Sequence, residues 1–256
     1  MLLPGLTDGL HPVSRPAARR LFDTLPVPME RCRGLVLSYR HPLAAPVATD
    51  VLADDLAEVL DGLLARPAVL VGHSMGTLVA QHLAARRPDL IAGLVLSAPL
   101  LTVDAQLRAV VERWAALARE RRWDDLAEDA LTCSYTGEEL DRRRALAAAL
   151  PPEAPDEELR TRHLALCQAC LTHEAPASLA VIDAPALVLA GAVDPVAPPH
   201  HAERLAAVLP QARLHVLPGL AHGFPEQAAP HFTALVTSFL GEVTAACAAW
   251  TGADGR

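Results

Sequence analysis

The sequence predicts an α/β fold: a mostly parallel sheet with helices on both faces and an inserted all-helical cap. Three observations carry this. Short apolar runs alternate with helix-period segments over the first hundred residues. About eighty residues of helical signal alone then follow, far more than an ordinary connection needs. Alternation returns at Pro185.

The elements read in order as follows. Met1-Leu2-Leu3 is a short apolar run that ends at Pro4-Gly5. Ser14 to Leu25 has a helical pattern, and Gly34 to Tyr39 reads as a strand. Asp50 to Leu64 places Val51, Leu52, Leu56, Val59, Leu60 and Leu63 at helical spacing. Ala68-Val69-Leu70-Val71 is wholly apolar, as a strand covered on both faces must be. The helix that starts at Met75 has to stop near Arg87, because Pro88 disfavours helical geometry in the residue before it. Leu94-Val95-Leu96 is the next strand.

From Leu101 to Ala180 the signals are helical throughout: Asp104 to Arg122, Asp124 to Thr132, Gly137 to Leu150 and Asp156 to His173, with a loop at Pro151-Pro152 and Pro155. The charge runs Arg119-Glu120-Arg121-Arg122 and Asp141-Arg142-Arg143-Arg144 read as solvated helix faces. Ala186 to Ala190 and Leu214 to Leu217 are strands flanking a helix from Pro199 to Leu209, and a last helix starts near Pro225. The expected division is a core of residues 1–100 and 181–256 around a helical cap of residues 101–180. The cap would lie over the carboxyl edge of the sheet, where open α/β sheets bind ligands.

Composition removes several classes of function. The net charge is −8, which opposes nucleic acid binding because phosphate neutralisation needs a basic surface. No lysine occurs, so neither Schiff-base chemistry nor a Walker lysine is available, and no asparagine offers an N-glycosylation site. No stretch of roughly eighteen residues is free of polar groups, so no membrane-spanning helix is expected. Phe232 to Trp250 reads as an amphipathic helix instead. Met1-Leu2-Leu3 runs into Pro4-Gly5 without a basic start, and the 5 cysteines are scattered. Both features favour a cytoplasmic protein.

Gly72-His73-Ser74-Met75-Gly76 carries the strongest chemical signal. It has the Gly-x-Ser-x-Gly form and sits between an apolar strand and a helix, the context that a nucleophile elbow requires. Chance could supply the five letters; it is less able to supply the strand and helix around them. Asp194 follows the strand ending at Ala190-Gly191, and His222 follows the strand Leu214-His215-Val216-Leu217. Each alone could be a turn former or a surface histidine. Together they stand past strand ends in the order Ser, Asp, His. Asp104 is the competing acid, deeper in the following segment.

The chain resembles the α/β-hydrolase fold superfamily in its cap-bearing esterase and enol-lactonase-like branch. Three segments carry the resemblance: Val71-Gly72-His73-Ser74-Met75-Gly76, Pro185 to Val196, and Leu217-Pro218-Gly219-Leu220-Ala221-His222. It implies that Ser74, Asp194 and His222 are catalytic. It also implies that the backbone N–H groups of Met75 and Leu6 form the oxyanion hole, with Pro4-Gly5-Leu6 standing where the family has its His-Gly loop. The family usually has two or more strands before that loop, so the expectation is either that the amino-terminal antiparallel strands are missing here or that the true start lies upstream.

The expected reaction is cleavage of a small ester, lactone or thioester through an acyl-enzyme on Ser74, with a small-molecule substrate, no cofactor and no membrane. Acyl transfer or cyclisation by the same triad is the first alternative; a ligand-binding protein with an idle triad is the second. Trp114 and Leu117 in the cap are candidates for the substrate pocket. Cys167-x-x-Cys170 reads as packing, because a single pair lacks further metal ligands, and His200-His201 read as a solvated helix start. No metal site is expected.

Overall fold

A computed structural model of the chain describes residues 1–25, 34–43, 46–63, 67–149 and 155–253. The Pro151-Pro152 loop and the expected helix ends Leu64 and Leu150 lie outside those residues.

The apolar runs become five parallel strands: β1 (Leu2–Leu3), β2 (Ala68–His73), β3 (Ile91–Ser97), β4 (Ala186–Gly191) and β5 (Ala212–Leu217), side by side in that order. The segment expected as a strand from Gly34 to Tyr39 pairs only at Val36, beside Leu2. Leu2 N–H donates to Leu35 O and Leu37 N–H to Leu2 O, and the pairing extends no further. β1 itself has only 2 residues, so it offers this edge segment a short ladder.

The chain therefore runs outward from β1 to Val36 and returns to β2 on the other side of β1. That reversal is a topological switch point, and ligands of open α/β sheets bind at the carboxyl ends of strands there. Pro4-Gly5-Leu6 leaves β1 at that edge, and Ser74 leaves β2 beside it.

Helices fill the connections. α1 (Arg15–Thr24), α2 (Thr49–Leu63) and α3 (Met75–Arg86) belong to the first half. The segment between β3 and β4 holds four helices: α4 (Ala105–Arg119), α5 (Trp123–Ser134), α6 (Gly137–Ala148) and α7 (Glu157–Leu171). Then come α8 (Pro199–Val208), a short α9 (Phe224–Gln227) and the long α10 (Ala229–Ala253). Side-chain caps fix three of the starts, since Ser14, Asp104 and Asp156 accept from the N–H three residues on. Each such cap contributes about 1 kcal/mol. The last helix starts in two pieces, with Ala228 between α9 and α10.

Alternation assigns helices to faces. Gly93 of β3 has no side chain, and α10 closes on it: a Cβ there would lie 3.2 Å from Val243 and 3.3 Å from Phe239. Leu94 and Leu96 point the other way, in register with Ala186 and Val188. Val188 and Ala190 pack on Ala202 of α8. The two faces thus carry α10 and α8 respectively. Both faces of β4 are buried along its whole length, as its apolar sequence requires.

The inserted helices pack chiefly on one another, α4 along α7 and α5 against both α4 and α6. Of the two charge runs, Arg119 to Arg122 is exposed. The second differs from the expected solvated face: Arg143 turns inward, its guanidinium 4.5 Å over the Tyr135 ring and 2.7 Å from Glu226. Among the described residues, no helix is long and apolar enough to cross a membrane.

Candidate active site

The turn between β2 and α3 forces Ser74 into the left-handed region, at φ 52° and ψ −123°. An L residue holds such a conformation only where its surroundings impose it, at a cost of about 1–3 kcal/mol. Small neighbours permit the turn. A Cβ on Gly72 would sit 2.7 Å from Gly76 O, and one on Gly76 would run into the Leu3 carbonyl of β1. The strained turn lifts the serine side chain to the carboxyl edge of the sheet, and Ser74 N–H is tied to Ser97 O at the end of β3.

Asp194 and His222 reach the same place from the ends of β4 and β5. His222 Nε2 lies 2.9 Å from Ser74 Oγ, and His222 Nδ1 lies 2.8 Å from Asp194 Oδ2. The other carboxylate oxygen of Asp194 accepts the N–H groups of Val196 and Ala197, both at 2.8 Å. The Asp194 carboxylate is fully buried and both of its oxygens are bonded, which holds it against the histidine. With Nδ1–H donated to Asp194, the Nε2 lone pair is directed at the serine hydroxyl.

Two backbone segments border the serine. Met75 opens α3, so its N–H has no partner within the helix, and the helix dipole adds positive character there. Leu6 follows Gly5, whose Cβ position lies 3.8 Å from Ser74 Cβ and 3.5 Å from His73 O. The Pro4-Gly5-Leu6 bend is held from three sides. Tyr39 Oη donates to Pro4 O at 2.7 Å, Gly9 N–H donates to Gly5 O, and the Asp8 carboxylate accepts from Gly5. Burial, with repulsion from Glu226, pushes the Asp8 carboxyl up to about 6. Arg162 of α7, also buried, donates to the carbonyls of Gly9, Tyr39 and Arg40, which joins this bend to the inserted helices.

His73 stacks at 5.0 Å from the His222 ring and bonds Ser97 Oγ through Nδ1 at 3.1 Å. Burial, and then the neighbouring His222, hold it well below the usual histidine range. It therefore stays neutral and adds no positive charge beside the triad histidine.

The inserted helices touch the site at the α5–α6 corner. His222 N–H donates to Cys133 O at 3.2 Å and Gly223 N–H to Ser134 O at 2.7 Å. The Gln227 amide pairs with Thr136, taking its N–H at 3.2 Å and donating to its carbonyl at 3.1 Å. Thr136 Oγ1 donates to Gly219 O, and Tyr135 Oη bonds Glu226. Gly223 allows this closeness, because a Cβ there would sit 2.7 Å from the Tyr135 ring. No sequence pattern links segments 91 residues apart, so this corner was not legible beforehand.

The remaining candidates sit elsewhere. Trp114 is partly buried and its indole donates to Asp129 of α5 at 2.6 Å, which makes it a strut between α4 and α5. Leu117, one turn on, is partly buried. Asp194, not Asp104, stands against His222; Asp104 caps α4 and contacts His200 and His201. His201 departs from the solvated reading, since its side chain is 0% exposed. Cys167 and Cys170 are both buried, Cys167 beside His163 at 3.5 Å.

Comparison with known proteins agrees with this architecture. The model of the alpha/beta hydrolase fold family matches residues 33–229. The chain is 46% identical to lipase LipV of Mycobacterium tuberculosis over 78 residues, and so spans only 30% of that protein's length. It is 30% identical over 207 residues to rhodomycin D methylesterase DnrP of Streptomyces peucetius, which covers 70% of this chain and 69% of that one. It superposes on the enol-lactonase of Burkholderia xenovorans LB400 with a TM-score of 0.66 at 25% identity, over 79% of this chain and 77% of that one.

Proposed function

The chain belongs to the α/β-hydrolase fold family and is a hydrolytic enzyme of the esterase type; we propose that it cleaves a small ester-like bond through an acyl-enzyme on Ser74. The observation that carries this reading is the relay from Asp194 through His222 to Ser74, with its two contacts at 2.8 and 2.9 Å. A buried carboxylate held by three donors, a histidine oriented by it and a serine on a strained turn together make a general base and its nucleophile.

In this reading His222 takes the Ser74 hydroxyl proton as Oγ attacks the carbonyl carbon. The N–H groups of Met75 and Leu6 stabilise the oxyanion. His222 then protonates the leaving alcohol, which departs. Water, deprotonated by the same histidine, attacks the acyl carbon and releases the acid and free Ser74. No step calls for a cofactor.

We also propose that residues 101–180 act as a cap on a core formed by residues 1–100 and 181–256. The bonds of the α5–α6 corner to the His222 loop support that division. Trp114 and Leu117 stay candidates for the pocket wall, Trp114 with its indole committed to Asp129.

Substrate class is approached through the methyl ester that the name of the Streptomyces relative implies. A panel of small methyl esters, p-nitrophenyl esters, lactones and thioesters is the test. Turnover of at least one ester, lost in Ser74→Ala, is expected. Turnover of none, or equal turnover by Ser74→Ala, overturns the reading. Adding an alcohol or amine to the assay separates hydrolysis from acyl transfer through the product formed.

A further inference from the structure

A second cluster of chemically capable side chains lies at the junction of α4 with α8, separate from the triad. Asp104 precedes α4, and His200 and His201 stand in the first turn of α8. Both imidazoles aim Nε2 at one oxygen, Asp104 Oδ2, at 3.0 Å from His200 and 3.1 Å from His201. All three ligand atoms lie within 4.8 Å of one another. The rings are 4.2 Å apart, centroid to centroid.

We propose that Asp104, His200 and His201 form a binding site for one divalent transition cation of borderline softness, such as zinc, cobalt or nickel. Two neutral imidazoles and a carboxylate are the donors these ions favour. In a tetrahedral site with ligand distances of about 2.1 Å, neighbouring donor atoms stand about 3.4 Å apart. The observed contacts at Oδ2 are slightly shorter, so a small withdrawal of the carboxylate opens the place for the ion. Both Nε2 atoms already face this place, and each ring turns by about 35° from Oδ2 toward an ion at the centre of the tetrahedron.

The surroundings suit such a site. Asp104 Oδ1 accepts Leu107 N–H at 2.8 Å, which orients the carboxylate. His201 is enclosed, while the His200 side chain is 47% exposed, leaving an entry path and room for water as a fourth ligand. One contact has to give way. Leu101 N–H donates to His201 Nδ1 at 3.4 Å, which places the ring proton on Nε2. A cation at Nε2 displaces that proton and requires the tautomer with Nδ1–H. Nδ1–H then faces Leu101 N–H, so these two buried donors have to move apart and binding is weaker by the cost of leaving them unpaired. The bound ion would tie the entry of the inserted helices to α8, where Gln106 already bonds Pro195 O at 3.0 Å.

Tag-free protein stripped with chelator and then titrated with zinc chloride tests this by calorimetry and thermal unfolding. The expected result is one ion per chain and a Tm raised by about 5 °C at saturation, an effect of binding to the folded state alone. Asp104→Asn keeps the helix cap and His200→Gln replaces an exposed ring, so both variants stay folded; each is expected to lose the shift. Nitrogen-15 spectra are expected to show the His201 ring proton moving from Nε2 to Nδ1. No shift in the parent protein, or the same shift in both variants, overturns the proposal.

Discussion

Replacing Asp194 by asparagine separates geometry from charge at the triad. One oxygen of Asp194 accepts two N–H groups, from Val196 and Ala197, both at 2.8 Å. Asparagine has one oxygen, and it must take that place. Turning the amide around would set its NH₂ against both donors and leave two buried N–H groups unsatisfied, at about 1–3 kcal/mol each. The NH₂ therefore faces His222 Nδ1, 2.8 Å from the present Oδ2. A donor at that point requires a lone pair on Nδ1, so the ring proton moves to Nε2. Nε2 then donates to Ser74 Oγ and can no longer take its proton. The fold keeps all its bonds while the base is lost. By comparison with other serine triads, kcat is expected to fall about 10⁴-fold, equivalent to about 5.4 kcal/mol. The assay is steady-state turnover of the best ester substrate, with thermal unfolding as a control. Activity within tenfold of the parent, in a variant of unchanged Tm, refutes the reasoning.

Three further outcomes follow from the same structure. Ser74→Gly is expected to be more stable than Ser74→Ala by about 1 kcal/mol, because glycine relieves the φ of 52° that alanine keeps; equal Tm values in the two inactive variants would remove the strain argument. Gln227→Ala removes the amide that ties Thr136 to the His222 loop, so kcat is expected to fall about tenfold, at the scale of one misplaced catalytic group, with KM little changed; steady-state kinetics that show only a raised KM would count against it. Asp8 holds its proton to about pH 6 in the folded protein against an ordinary value of 3.8, so the folded state binds that proton more tightly and stability falls as pH rises through that window. Asp8→Asn is therefore expected to raise Tm by a few degrees at pH 8 and to lose that advantage below about pH 4; a gain that is the same at both pH values contradicts this.

The parts of the fold that follow from local pattern were legible in the sequence. Ala68 to Val71 were expected to be buried on both faces; β2 does lie between two strands, with Leu70 and Val71 buried and Ala68 and Val69 half-buried at its start. Gly72 and Gly76 flank the serine because strand and helix nearly touch there, a requirement that shows in the residue types themselves. Asp194 and His222 stand at strand ends, and parallel strands deliver their carboxyl ends to one edge, so chain order alone brings the three residues near one another. Contacts made across the chain left no such trace. Arg162 looks like any arginine on a charged helix, yet it is buried against the carbonyls of Gly9, Tyr39 and Arg40. Arg143 sits in a run of charge and still turns inward to Glu226. His201 looks exposed at a helix start and is enclosed, because Asp104, 97 residues away, meets it there. The strand expected from Gly34 to Tyr39 shortened to the bridge at Val36, since its neighbour β1 is too short to pair with more.

The central claim is that Ser74 is the nucleophile, and covalent labelling tests it most directly. The protein is treated with a serine-directed fluorophosphonate, its intact mass is measured, and the modified peptide is mapped. One adduct per chain, located on Ser74 and absent from Ser74→Ala, is predicted. No adduct on the folded protein, or an adduct of equal yield in Ser74→Ala, would contradict the account.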